Sequence, residues 1–383
     1  MPPLESRCTF LTVTNDQRII DWLTLALTPG LGATGCRQLA AHFGTPRQVL
    51  AASRQELSQI PGLRKSALAA IGNERWSQMA AATLQRARNN NQRLICWEDP
   101  DYPPLLRTIH DPPPILYVRG SVELLATPSL AVVGARAASS YGRQMAARFA
   151  GDLTRRGLTI ISGMALGIDT AAHNGALAAG GRTVAVLGCG LDTVYPAQNR
   201  RLYEEIAATG TLVSEYPPTT PPDGFRFPAR NRIISGLALG VLVVEAASRS
   251  GSLITAHLAL EQGREVFAMP GRVDSGKSEG SHRLLQDGAK LVHNVADILE
   301  ELPSASHRPT DSEQDDNADE GMTAGNLDPI AQAVLAALDV YPQSIDTIIA
   351  ISGLPARQVT EKLLLLELQN LSEVLPGGQY RKK

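Results

Sequence analysis

Within "GFRFPARNRIISG", residues 224–236, Arg226, Arg230 and Arg232 fall inside seven positions. Phe225 and Phe227 sit among them, in a chain whose aromatic content is only 4%. A guanidinium is a planar fork that can meet a phosphate through two parallel N–H donors. An aromatic ring offers a flat apolar face on which a base can stack. The combination suits a nucleic-acid strand. The alternative is ion pairing within the protein, for which Glu215, Asp223 and Glu245 are at hand.

Five further segments share this chemistry: "GARAASSYG", "SGMALGIDTAAH", "GCGLDTVYPAQNRR", "EAASRSGSLITAH" and "PGRVDSGKSEGSH". Gly134, Gly163, Gly167, Gly188, Gly190 and Gly251 let a backbone amide come close to an anion. Arg136, Arg200, Arg201 and Arg249 add charge, and Tyr195 adds a ring. Asp169 is read as a cap or brace of the helix it begins. His173 and His257 lie in apolar helical stretches and are read as packed or capping. Neither G-x-G-x-x-G nor G-x-x-x-x-G-K-[ST] occurs, so a standard dinucleotide site and ATP hydrolysis are not indicated. No metal site, cofactor or catalytic residue is assigned.

These segments need a frame that brings them to one place. Residues 129–294 supply it. Apolar, β-branched runs recur at "SLAVVGA", "LTIISG", "TVAVLGCG", "TLVSEY", "GVLVVEA", "EVFAMPG" and "KLVHN", with helical patterns between most of them. Continuously apolar strands have both faces covered, and strand–helix alternation predicts a doubly wound, mostly parallel α/β sheet. In such a sheet ligands bind beyond the carboxyl ends of the strands, where all six loops would gather.

The flanking regions differ. Around residues 17–80, "LTPGLGATGCRQLAAHFG" and "IPGLRKSALAAIG" place an apolar–Gly–apolar turn before a helix, which predicts a helix-hairpin-helix (SAM-like) domain over 1–90. Such turns either meet a phosphate or only pack against neighbours. The sheet domain is expected over 91–302, an acidic flexible linker over 303–326, and a winged-helix module over 327–383. Charge follows the same division: residues 301–328 hold eight acidic residues against one basic, while 115–300 hold eighteen basic against sixteen acidic, sixteen of the eighteen being arginine. The module from 329 onward has zero net charge, which does not support strong phosphate binding by it.

The whole chain has 383 residues, 43% of them hydrophobic. No apolar run reaches the roughly 18 residues of a membrane span. The first residues lack the order of a signal peptide. The four cysteines form no C-x-x-C pair. A cytoplasmic protein with reduced thiols and no membrane partner is expected.

"AVVGAR", "SGMALGIDTAAH", "LGCGLDTVYP", "FPARNRIISG", "VVEAASRSGSLITA" and "VFAMPG", in that order, resemble DNA-processing protein A, the DprA/Smf family. The resemblance covers residues 102–300, and the flanking regions fit the family's longer members. It implies a cytoplasmic protein, not an enzyme, that binds single-stranded DNA, forms a homodimer, protects incoming strands during natural transformation, and helps load RecA onto DNA coated by single-strand-binding protein. Carried over, the strand-binding positions are Gly134, Arg136, Gly163, Phe227, Arg230, Asn231 and Ser250. The loop reading adds Gly167, Tyr195, Arg226, Arg232, Arg249, Gly251 and Ser252. The family's first motif usually reads Gly-Ser/Thr-Arg, and here Ala135 holds its middle place, so one hydroxyl donor is missing. The competing reading is a nucleoside-phosphate ribohydrolase on a similar sheet, using Asp169, Glu215 or Glu245 at a sugar. The chain lacks the Pro-Gly-Gly…Glu pattern of those enzymes.

Overall fold

The computed structural model describes residues 15–302, 328–339, 341–369, 371–375 and 377–382. The expected linker over 303–326 lies outside them. The chain divides into two compact units. The larger begins with α1 (Asn15–Leu27), α2 (Gly32–Phe43), α3 (Pro46–Ala51), α4 (Arg54–Ser58), α5 (Lys65–Ala70) and α6 (Glu74–Asn89). The turn between α1 and α2 needs positive φ at Gly30 and Gly32, and that between α4 and α5 needs it at Gly62. Glycine adopts this conformation without a Cβ clash. Leu31 and Ile60 in these turns are buried, so the turns pack inward.

Next come β1 (Arg93–Cys96), α7 (Pro104–Arg107) and β2 (Ile115–Gly120), then the alternating region. It runs β3 (Ser129–Val133), α8 (Ser140–Arg155), β4 (Thr159–Ser162), α9 (Ile168–Ala178), β5 (Thr183–Leu187), α10 (Arg200–Thr209) and β6 (Thr211–Ser214). It continues through α11 (Arg226–Leu237), β7 (Gly240–Val243), α12 (Gly251–Glu261), β8 (Glu265–Ala268), α13 (Glu279–Gln286), β9 (Lys290–Leu291) and α14 (Val295–Leu299). The sheet order is β1-β2-β6-β5-β4-β3-β7-β8-β9. All seven expected strands are present and pair with one another in parallel. Two strands join that the pattern did not reveal: β2 pairs antiparallel with β6, and β1 antiparallel with β2.

Every residue of β3, β4 and β5 is buried, because helices cover both faces. The chain leaves β3 toward β4 on one side and returns at β7 on the other. Loops there diverge and open a crevice, the usual ligand position in such sheets. The helical region expected to stand apart over 1–90 does not. Trp22, Leu23 and Leu39 share one core with Leu94, Cys96, Ile115, Tyr117 and Leu212. Cys36, Cys96 and Cys189 are buried free thiols.

The arginine-rich stretch is not a loop. It is α11, with Pro228 in its first turn, where a missing N–H costs nothing. Arg230 and Arg232 are two positions apart, about 200° around a helix, so they leave on nearly opposite sides.

The smaller unit holds Ala138–Met145 and the C-terminal elements α15 (Pro329–Ala337), β10 (Gln343–Ser344), α16 (Ile345–Ser352), α17 (Ala356–Leu368), β11 (Ser372–Leu375) and β12 (Gln379–Lys382). Its sheet order is β10-β12-β11, and Val334, Ile348, Val359, Leu363 and Leu366 form its core. Three helices and a three-stranded wing follow the expected pattern. No helix among the described residues is long and apolar enough to cross a membrane.

Gly175 in α9 lies against α8, and a Cβ there would fall well inside contact distance of the Ala147 carbonyl. Backbone cannot step aside as a side chain does. Gly175→Ala is expected to cost at least about 1–3 kcal/mol through overpacking. A lowered urea midpoint with an unchanged slope would register it.

Candidate nucleic-acid interface

The ends of β3, β4, β5 and β7 and the first turn of α11 enclose two connected hollows. The smaller, about 70 Å³, is lined by Arg136, Gly163–Leu166, Leu187–Cys189, Tyr195, Pro196, Phe227 and Arg230. The larger groove, about 530 Å³, opens at the crevice between β3 and β7 and runs past Arg249–Ser252. Of the sequence-assigned residues, Gly134, Arg136, Phe227, Arg230, Asn231, Arg249, Ser250, Gly251 and Ser252 line the groove. Gly163 and Tyr195 line the smaller hollow. Gly167, Arg226 and Arg232 line neither.

The rings sit at the rim. Phe227 and Tyr195 stack with centroids 5.4 Å apart and planes 27° apart. The Arg136 guanidinium lies 5.3 Å from the Phe227 centroid. A side chain at Gly188 would strike Phe227, so that glycine gives the ring its place. Arg136 and Arg249 are exposed, Arg226 is half-buried, and none of the three makes an ion pair among the described residues. Arg226 packs over Tyr216 and Phe225 and donates to the Pro221 carbonyl. Ser250 caps α12 by accepting from the Ser252 amide. The positive end of that helix therefore faces the groove.

Two of the three clustered arginines are not rim residues. Arg232 is 9% exposed, donates from Nη1 and Nη2 to the two Glu215 oxygens at 3.0 and 2.6 Å, and from Nε to Asp111 at 2.8 Å. Burial pulls its pKa down, but Glu215 and Asp111 more than reverse this and hold it above its ordinary value. The expectation that Arg232 faces phosphate is corrected: helical spacing turns it to the loop after β6. Arg230 is 4% exposed and donates from Nη1 to the carbonyls of Gly163, at 2.7 Å, and Val186. Burial lowers its pKa to about 10, against the pull of Asp169. It remains charged at neutral pH, but its Nη1 is committed to backbone, so it is a brace rather than a free phosphate fork. Its Nη2 has no acceptor among the described residues.

The glycines also work differently than expected. The Gly163 amide already donates to Asp169 at 3.1 Å, and a Cβ there would meet Arg230 Nη2 at 2.6 Å. Gly163 makes room for a guanidinium instead of baring an amide. Gly134 lets β3 close on the Glu245 carbonyl, and Gly167, at φ +84°, lies against the Ala135 and Arg136 carbonyls. Asp169 is 6% exposed and accepts from the Gly163 and Ala165 amides; burial raises its pKa. His173 is fully buried, and burial lowers its pKa to about 3. Two of the carboxylates that a ribohydrolase would draw on are therefore a loop brace, Asp169, and an ion-pair partner, Glu215.

Sequence reasoning did not find Met164, Leu166, Pro196, Ala247 or Ser248 on these walls. Met164 adopts φ +60°, and Asn199 donates to its carbonyl at 2.9 Å. No residue-type signal announces such a backbone.

This is a doubly wound α/β protein whose switch-point crevice carries stacked rings and arginines that make no ion pair among the described residues, with a helix-and-wing unit at its C-terminal end. The family model for DNA recombination-mediator protein A matches residues 93–303, and that for the DprA winged helix domain matches 318–378. The chain belongs to the DNA recombination-mediator protein A family, DprA/Smf. Protein Smf of Synechocystis sp. is 34% identical over 390 residues, 94% of this chain and 98% of the relative. The crystal structure of DNA processing protein A from Streptococcus pneumoniae matches with a TM-score of 0.66 and 39% identity, covering 76% of this chain and 99% of that one. A solved structure of DNA processing protein A from Helicobacter pylori, described for its single-stranded DNA binding mode, matches with a TM-score of 0.50 and 33% identity over 54% of this chain and 94% of that one. Nothing in these comparisons supports the ribohydrolase alternative.

Arg232→Ala would strand Glu215, whose side chain is 13% exposed. Removing one partner of a buried pair costs about 3–5 kcal/mol. Arg136→Ala removes an exposed side chain and is expected to stay within about 0.5 kcal/mol of wild type. Urea titration of the two variants should separate them.

Proposed function

We propose that the chain binds single-stranded DNA along the crevice between β3 and β7, without cutting it. The observation that carries this reading is the rim: Phe227 stacked with Tyr195 and packed beside Arg136, near arginines that make no ion pair among the described residues. Unpaired bases can stack on rings, whereas paired bases in a duplex have no free face to offer. Arg136, Arg249 and Arg226 are the residues for phosphates, with the first turn of α12 adding partial positive charge. Asn231, Ser250, Gly251 and Ser252 supply the polar wall between them. Arg230 holds the wall in place and offers Nη2.

Family membership and the DNA-binding mode described for the Helicobacter pylori relative support this reading. On the same grounds we assign the chain a cytoplasmic role as a homodimer that protects incoming strands in natural transformation. RecA, and single-strand-binding protein on the DNA it covers, are the partners that go with it. An acidic connector before the winged helix belongs to this proposal.

Oligo-dT binding, followed by fluorescence anisotropy across a salt series, tests it. Arg136→Ala should weaken binding of every sequence and flatten the log–log salt slope by about 0.7 for each phosphate that the arginine neutralises. Phe227→Ala should cost about 1–3 kcal/mol with little change in slope. Wild-type affinity in both variants would remove the site.

A further inference from the structure

We propose that Asp192 is a positioning residue for the DNA-binding rim, through which the N-terminal helices set the pose of Tyr195. The inference rests on the rim being the strand-binding surface. Tyr195 belongs to the segment between β5 and α10, and several anchors of that segment lie in the loop between β6 and α11, the loop after β4 and α9. The Gly190 amide donates to the Thr220 carbonyl at 2.9 Å, and the Asp192 amide to that of Pro218 at 2.9 Å. At the far end, Asn199 donates to the Met164 carbonyl and to Thr170 Oγ1, each at 2.9 Å.

The Asp192 carboxylate reaches elsewhere. Its Oδ2 accepts from Arg86 Nε at 2.7 Å. Its Oδ1 accepts from Asn90 Nδ2 at 2.8 Å and Gln92 Nε2 at 2.7 Å. All three donors come from the end of α6 and the turn into β1, about a hundred residues earlier in the chain. A carboxylate that satisfied only its own loop would take donors from neighbouring amides, as Asp169 does. Asp192 instead spends both oxygens on another part of the unit, with its side chain 14% exposed. Partial burial strengthens such charge-assisted bonds relative to water.

α6 is itself fixed. Ala80, Leu84 and Ala87 are buried against the N-terminal core, and Arg88 pairs with Asp16 of α1. A strut therefore runs from α1 through α6 to Asp192, three residues before Tyr195. The Tyr195 ring is 40% exposed and leans on Phe227, so little besides its backbone position fixes its face. A shift of the segment by a fraction of the stacking distance would spoil the surface offered to a base.

The test is a double-mutant cycle between Asp192 and Tyr195 with oligo-dT as the probe. Asp192→Asn keeps the shape and removes the charge. It should weaken binding about fivefold with the salt slope unchanged, because every phosphate keeps its arginine. In a Tyr195→Ala background the same change should have no further effect. Arg86→Ala combined with Asn90→Ala removes two donors at an exposed surface and should reproduce the result if Asp192→Asn fails to fold. An equal weakening in the Tyr195→Ala background, or undiminished affinity in folded variants, overturns the proposal. If Tyr195→Ala and Arg136→Ala both bind like wild type, the rim reading falls and this inference with it. If those two weaken binding while the Asp192 and Arg86/Asn90 variants do not, only this inference falls.

Discussion

The buried guanidinium of Arg230 is the constraint on which the rim depends. It stands on α11 and bonds to carbonyls at the ends of β4 and β5, with Asp169 supplying compensating charge nearby. A charge taken out of water this far needs hydrogen-bond acceptors to offset the loss of hydration. The two carbonyls that accept from Nη1 fix the distance between one helix and two strand ends. Gly163 follows from it, since any side chain there would displace the guanidinium. So does the placement of Phe227, one helical turn earlier, whose ring then lands over Gly188 and beside Tyr195.

Arg232 completes the fixation from the other side of the helix. Its bidentate bond to Glu215 and its bond to Asp111 tie α11 to the loop after β6 and to the loop between α7 and β2. α11 is thus clamped between the backbone carbonyls that hold Arg230 and the carboxylates that hold Arg232. That division explains how one short motif can be rich in charge and yet only partly available to a ligand. The available charge belongs to Arg136 and Arg249 on the neighbouring loops and to Arg226 at the exposed end of the helix. The interior charge keeps those three at a set spacing.

The doubly wound sheet was legible because most of its strands are covered on both faces and read as unbroken apolar runs between helices. β1 and β2 escaped because they join antiparallel at one edge, without the crossover helices that mark the rest. The gathering of the loops was legible from the strand–helix alternation: Arg136, Tyr195, Phe227 and Arg249 line the hollows at the strand ends. What failed was the assignment of direction. α11 is buried around most of its circumference, from Arg230 to Leu237, so it has no polar–apolar stripe to betray a helix. Read as a loop, its arginines looked equally free. Read as a helix, the two-residue spacing separates Arg230 from Arg232 and makes both internal. The glycines misled in a related way, because a glycine that admits a ligand and one that admits a neighbouring side chain look alike in sequence.

Ala135 shows the same distinction between side-chain and backbone work. The related motif usually carries a hydroxyl there, and this site does without it. The Ala135 amide donates to the Glu245 carbonyl at 2.7 Å, and its own carbonyl accepts from the Ile168 amide at 3.2 Å. The residue therefore joins the loops after β3, β4 and β7 through its backbone, and any residue of similar size preserves that junction. The junction holds the three loops at the crevice, and Arg136 immediately after it emerges where the groove opens. A hydroxyl at this position would add one donor to a geometry that the backbone already sets.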